Sequence, residues 1–128
     1  MSYTIRTAEE FKIPIASQSR FWDLGAENVI ARMAFAVSLE MGEPIDLENM
    51  RDTKGKEYNA KVLFGDYQKT YEAMLCLREQ ITPEHPDFKR YIKAHIDRGL
   101  LRLLEYSSLD LSQLFELLTP AKNKKSEL

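Results

Sequence analysis

Apolar residues return every three or four positions in several stretches of the chain, and between them the pattern gives way to proline, glycine and charge. From Asn28 to Met41, Ile30, Met33, Ala34, Val37 and Met41 recur at helical spacing and predict a buried stripe. Asn28, Arg32, Phe35 and Leu39 form a second line on a neighbouring face, so this helix should touch more than one neighbour. Gly42 and Pro44 stop it. A longer stripe begins near Pro86, with Phe88, Ile92, Ile96, Gly99, Leu100 and Leu103 on the buried side and Lys89, Arg90 and Lys93 on the exposed one. A glycine inside a helix costs about 1 kcal/mol relative to alanine, so Gly99 predicts a close helix crossing or a local bend.

The other segments are shorter. Tyr3 to Arg6 reads as an extended stretch, and Thr7 and Glu10 have the spacing of a capping box that opens a helix. Pro14 predicts a kink or break in that helix before it resumes to Trp22, and Gly25 marks its end. Residues 43 to 57 read as a polar excursion of low order. Asn59 to Phe64 fits a short strand, after which Gly65 turns the chain and Asp66 can cap a helix running to about Glu79. Tyr67, Tyr71, Met74, Leu75 and Arg78 lie along one side of it. Asp110 and Gln113 form a second capping-box pair ahead of Leu111, Leu114, Phe115 and Leu118, and residues 119–128 are too polar to pack. The expectation is a mainly α fold: one compact helical domain over residues 3–118, about four to five helices with one or two short strands.

Composition narrows the classes. A 128-residue chain with 30% charged and 44% hydrophobic residues has room for one modest core. No run of 18 apolar residues exists and the first residues lack a secretory pattern, so the expected location is the cytoplasm. The single cysteine, Cys76, has no intrachain partner, and His85 and His95 have no zinc-like spacing; no metal and no cofactor are expected. A net charge of −2 argues against coating nucleic acid by charge alone, so any DNA contact must be local.

Candidate chemistry is sparse. No serine is framed by glycines, no histidine neighbours Cys76 in sequence, and no phosphate loop is present, so the chain is not expected to be an enzyme. Cys76 on an apolar helix reads as a buried, inert thiol, His95 as a satisfied histidine on the flank of the core stripe, and His85 as solvated. Lys89, Arg90 and Lys93 fit two readings equally: cations for DNA phosphates, or a solvated face matched by acids from elsewhere. Arg6 and Arg32 can meet phosphate or pair with an acid inside the fold or in a subunit interface, the second being favoured for Arg32 beside Phe35 and Leu39. Gly65 permits a turn around which Phe64, Tyr67 and Tyr71 can pack.

Four blocks then recur in a familiar order: Ile5-Arg6-Thr7; Asn28 with Arg32 and Ser38-Leu39; Leu63-Phe64-Gly65-Asp66-Tyr67; and Ala94-His95-Ile96-Asp97-Arg98-Gly99. Together they resemble the DndE family of DNA sulfur-modification proteins over about residues 3 to 118. The resemblance implies a small helical subunit that self-associates, apparently into a homotetramer, and binds duplex DNA with a preference for nicks. It also implies partners: a cysteine desulfurase, an iron–sulfur protein of the ATP-pyrophosphatase type and an SMC-like ATPase. In such a system a non-bridging phosphate oxygen is replaced by sulfur, and this chain would be a non-catalytic DNA-binding or assembly subunit. The expected DNA-binding residues are Lys89, Arg90, Lys93 and Arg6, with Phe64, Gly65, Tyr67, Arg32 and Gly99 as structural motif residues.

Two other classes fit parts of the pattern. Tyr3 to Arg6 followed by helices fits a ribbon-helix-helix regulator in which the strand pairs with its own copy, although the helices exceed that minimal module. A helical scaffold that bridges protein partners without touching DNA is the other.

Overall fold

The computed structural model describes residues 2–117. The mainly α expectation holds. Two strands, β1 (Thr4–Arg6) and β2 (Glu57–Asn59), accompany α1 (Lys12–Phe21), α2 (Glu27–Glu40), α3 (Ala60–Phe64), α4 (Gln68–Glu79), α5 (Phe88–Leu104) and α6 (Leu111–Leu117). The polar tail 119–128 and Leu118 lie outside the described residues.

The fold is organised by α2 lying along α5. All six apolar-stripe positions of α5, Phe88, Ile92, Ile96, Gly99, Leu100 and Leu103, are buried as the periodicity predicts. Gly99 sits at the crossing itself, where a Cβ would collide with the Ala34 carbonyl oxygen and lie 2.7 Å from the Ala34 Cα. The glycine is therefore a close-approach residue, and α5 continues past it to Leu104. On α2 the buried set is Ile30, Ala31, Ala34, Phe35 and Ser38, which falls between the two predicted lines; Met33 and Val37 pack at the edge of the core. Small residues at positions 31, 34 and 38 are what let the two backbones approach.

The sheet is small and antiparallel, with Thr4 opposite Asn59, Ile5 opposite Tyr58 and Arg6 opposite Glu57. Ile5 and Tyr58 face the core while their neighbours face out. The pairing is prolonged by the Thr7 amide donating to the Lys56 carbonyl and the Ala60 amide donating to the Tyr3 carbonyl, at 3.1 and 2.9 Å.

Several sequence expectations are corrected. The second strand stops at Asn59, whose side chain accepts from the Lys61 amide and starts α3, so residues 60–64 are helical where a strand was expected. Pro14 causes no break: it is the third residue of α1, in the first turn, where its missing donor has no intrahelical partner to lose. Thr7 and Glu10 form no capping box. Thr7 Oγ1 donates to the Lys56 carbonyl, and the amides of Ala8 and Glu9 are received by the distant carboxylates of Asp97 and Asp52, at 3.1 and 2.9 Å. Asp66 does not cap α4, which follows a 3₁₀ turn over Gly65–Tyr67. The Asp110 and Gln113 box, in contrast, is present in both directions, at 2.9 and 3.0 Å.

The excursion after α2 is held along a defined path. Arg98 and Arg78 donate to the Glu43 carbonyl at 2.7 and 3.1 Å, and Arg90 donates to the Leu47 carbonyl at 2.8 Å. Polar composition without periodicity conceals this, because the anchors are backbone carbonyls.

Replacing Gly99 by alanine should force α2 and α5 apart. The expected loss is at least about 3 kcal/mol in urea unfolding, whereas Ala36→Gly on the partly exposed face of α2 should cost only about 1 kcal/mol.

Candidate nucleic-acid interface

Arg6 on β1 and Lys89, Arg90 and Lys93 on α5 line one shallow depression of about 280 Å³, together with Thr4, Ile5, Thr53 and Glu57. Four cations and one carboxylate thus line it, while Asp87 and Asp97 reach Arg90 and Lys93 from beyond the lining. The fold brings together residues more than 80 positions apart because β1 packs beside the first turns of α5, with the Tyr3 and Phe88 rings edge to face at 5.8 Å.

Each cation is held differently. Lys89 is exposed and has no hydrogen bond or ion pair among the described residues. Arg90 is exposed but oriented, donating to Asp87 at 2.9 Å as well as to the Leu47 carbonyl. Arg6 pairs with Glu57 at 2.6 Å, half exposed on both sides, a contact worth little in water. Lys93 is a correction: it is buried, only 5% exposed, and bound to the buried Asp97 one turn later rather than standing on the solvated face. Burial pushes the Asp97 carboxyl up, while Lys93 and the Ala8 amide pull it down.

The glycine-turn motif is structural. Arg32 Nε donates to the Leu63 carbonyl at 2.7 Å and its Nη2 to the Val62 carbonyl at 3.2 Å, and Asn28 joins at Val62 at 3.1 Å. Arg32 therefore closes the C-terminal end of α3 and, among the described residues of this chain, pairs with backbone carbonyls where an internal acid was one of the partners expected. Gly65 follows at φ 61°, and a Cβ there would lie 3.3 Å from the guanidinium. Phe64 and Tyr71 stack at 5.2 Å, and Phe35 meets both edge-on. Tyr67 does not join them; it is 68% exposed.

A serine, a histidine and a glutamate also meet, although the sequence keeps them apart. Ser38 lies 2.8 Å from His95 Nδ1 and Glu79 lies 2.6 Å from Nε2. Arg98 Nε donates to Ser38 Oγ at 2.9 Å, so the hydroxyl proton is free to go to Nδ1 while Nε2–H donates to Glu79. That direction suits a neutral ring, and burial holds the His95 pKa below its ordinary 6.5. The residues resemble a catalytic set in type, yet Ser38 and His95 are both 0% exposed, so no substrate carbonyl can reach the hydroxyl. The network locks α2, α4 and α5 together. Its signal in the sequence was two polar residues, Ser38 and His95, on otherwise apolar faces. Cys76 is half-buried rather than buried, with its thiol pushed up by burial, and the His85 ring accepts from the Asp87 amide at 3.0 Å. Among the described residues no His, Cys, Asp and Glu group could hold a metal, and no helix is long and apolar enough to cross a membrane.

Comparison with protein families matches residues 4–110 to the model described as DNA sulphur modification protein DndE. The chain belongs to the DndE family. Among solved structures it is similar to DndE from Escherichia coli B7A, described as involved in DNA phosphorothioation modification, at 17% identity and a TM-score of 0.62, covering 78% of this chain and 95% of that one. No curated protein matches it. In this DndE-family chain the four blocks singled out in the sequence mostly build the scaffold: Asn28, Arg32 and Gly65 close α3, while His95, Asp97, Arg98 and Gly99 hold α5 to its neighbours. Ile5 and Arg6 belong both to a block and to the cationic depression, and Arg6 is the charged one of the two.

The neutral buried histidine gives a pH dependence. With the folded pKa depressed, the unfolded chain takes up a proton first, so stability is full above about pH 6.5 and declines as pH falls below it. Unfolding free energies of the native chain and His95→Gln across pH 5 to 8 should differ in slope below pH 6.5; parallel curves would show that the ring is not held neutral.

Proposed function

We propose that the chain is a non-catalytic subunit of the DNA phosphorothioation machinery that binds duplex DNA, preferring nicked duplex, through the face formed by Arg6, Lys89 and Arg90. The observation that carries the proposal is the meeting of these cations in one depression of a chain with net charge −2. Phosphate contacts need local positive charge, and the arrangement supplies it where the overall balance does not. Family membership sets the system in which it acts. Its partners are then the desulfurase, the iron–sulfur protein and the SMC-like ATPase of a cytoplasmic modification complex, and self-association, as a tetramer, would repeat the cationic face.

A non-catalytic role is supported by the burial of Ser38 and His95, the described pair closest to a nucleophile and base. The ribbon-helix-helix reading has little left to favour it: β1 pairs with β2 of the same chain, and Ile5 is buried in the core instead of facing a groove.

Salt titration of binding to intact and nicked duplexes of one sequence, with the protein's solution mass measured alongside, tests the proposal. Binding should weaken with salt by a log-log slope of about −0.9 per phosphate neutralised. The Lys89→Ala and Arg90→Ala double substitution should flatten that slope by about 1.8 units. Absence of binding to either duplex would leave the scaffold reading.

A further inference from the structure

The depression that carries the proposed DNA contact differs from a surface built to follow a continuous strand. Phosphodiesters succeed one another about every 3.4 Å of helix axis along a strand, and a protein tracks them with cations spread along a face. Here the cations line one hollow of about 280 Å³, a volume on the scale of a single phosphate-bearing residue.

Lys93 distinguishes it further. The small part of this buried lysine that solvent reaches lines the hollow, while Asp97 holds its ammonium from the side. Lys89 and Arg90 stand at the rim with donors to spare, since Arg90 uses two of its five N–H groups in the contacts above. Both belong to the first turn of the 17-residue α5, which contains no acid. The positive end of the helix dipole disfavours cations there. Arg6, Arg90 and Lys93 are paired with Glu57, Asp87 and Asp97, so the unbalanced charge of the site is that of Lys89, which stands at the unfavourable end of the helix with no acid partner among the described residues.

We infer that the depression bounded by Arg6, Lys89, Arg90 and Lys93 is a pocket for a single terminal phosphate monoester, such as the phosphate at a strand break, rather than for a passing phosphodiester. A monoester carries nearly two charges near neutral pH and three acceptor oxygens, against one charge for the diester, which suits several donors converging on one point. The inference rests on the DNA-binding reading for the source of the phosphate, though not for the pocket, which inorganic phosphate also probes.

The experiment compares three duplexes of one sequence by fluorescence anisotropy: intact, nicked with a phosphate at the break, and nicked with hydroxyls on both sides. In parallel, inorganic phosphate is titrated into the full chain and backbone amide shifts are followed. The phosphate-bearing nick should bind about tenfold tighter than the hydroxyl nick, a difference of the size one or two charge-assisted hydrogen bonds produce. Lys89→Ala with Arg90→Ala, both at exposed positions, should erase that difference. Inorganic phosphate should shift the amides of Thr4 to Arg6 and Lys89 to Lys93 in the native chain and not in the double variant. Equal affinity for the two nicked duplexes, with no phosphate-induced shifts, overturns the pocket and leaves DNA binding standing. Shifts without binding to any duplex keep the pocket, assign it to a free phosphate compound, and overturn the DNA reading.

Discussion

The approach of α2 to α5 at Ala34 and Gly99 is the constraint on which the other contacts depend. Two helix backbones meet there with no side chain between them on the α5 side, and the residues around the crossing take positions that only this separation allows. Ser38 lies one turn beyond Ala34 and can therefore reach His95 and Arg98 on α5. Phe35, beside Ala34, can contact His95 edge-on at 6.0 Å while also meeting Phe64 and Tyr71. A wider separation would break the hydrogen-bonded relay and leave buried polar groups unpaired, a larger penalty than the loss of packing alone.

The same crossing fixes the cationic depression indirectly. Asp97, two residues before Gly99, receives the Ala8 amide and so secures the chain just after β1 to the middle of α5. Lys93, one turn earlier, is neutralised by the same carboxylate and lines the hollow. The acid serves both the chain path and the lysine. Such a pair is not by itself a stabilising feature, because removing two charges from water offsets much of their attraction. What it contributes is placement: β1, with Arg6, is held against the end of α5 that bears Lys89 and Arg90.

The parts of this arrangement legible in the sequence were those governed by periodicity and local chemistry. The α5 stripe is long enough that its period is unambiguous, Gly99 breaks helix propensity where the backbone needs room, and Asp110 with Gln113 forms its capping box within three residues. The misreadings share another cause. Thr7 and Glu10 have the local spacing of a cap, but the Thr7 amide and hydroxyl both donate to the Lys56 carbonyl as an extension of the sheet, and the long-range carboxylates of Asp97 and Asp52 take the Ala8 and Glu9 amides. Asn59 to Phe64 is short and apolar, where strand and helix patterns coincide, and the Asn59 cap decided it. Lys93 looked like a surface cation because Lys89 and Arg90 are; its sequence spacing to Asp97, one helical turn, was the available sign that the two would pair.

Arg32 shows why a motif residue need not belong to the functional surface. Its line on α2, with Phe35 and Leu39, placed it beside the core and favoured an acid partner, yet the negative ends it satisfies are the carbonyls at the last turn of α3. A helix C-terminus presents partial negative charge without any acidic residue to announce it in the sequence. The loop after α2 is held in the same way, by Arg78, Arg90 and Arg98 on backbone oxygens. Arginine is thus used twice in this fold as a clamp on the main chain. Arg90 differs from the others in having a second position to fill: it anchors the Leu47 carbonyl while lining the cationic hollow. An anion that drew its guanidinium inward would compete with the Leu47 carbonyl, so occupancy of the hollow and the position of the loop are physically linked through this one side chain.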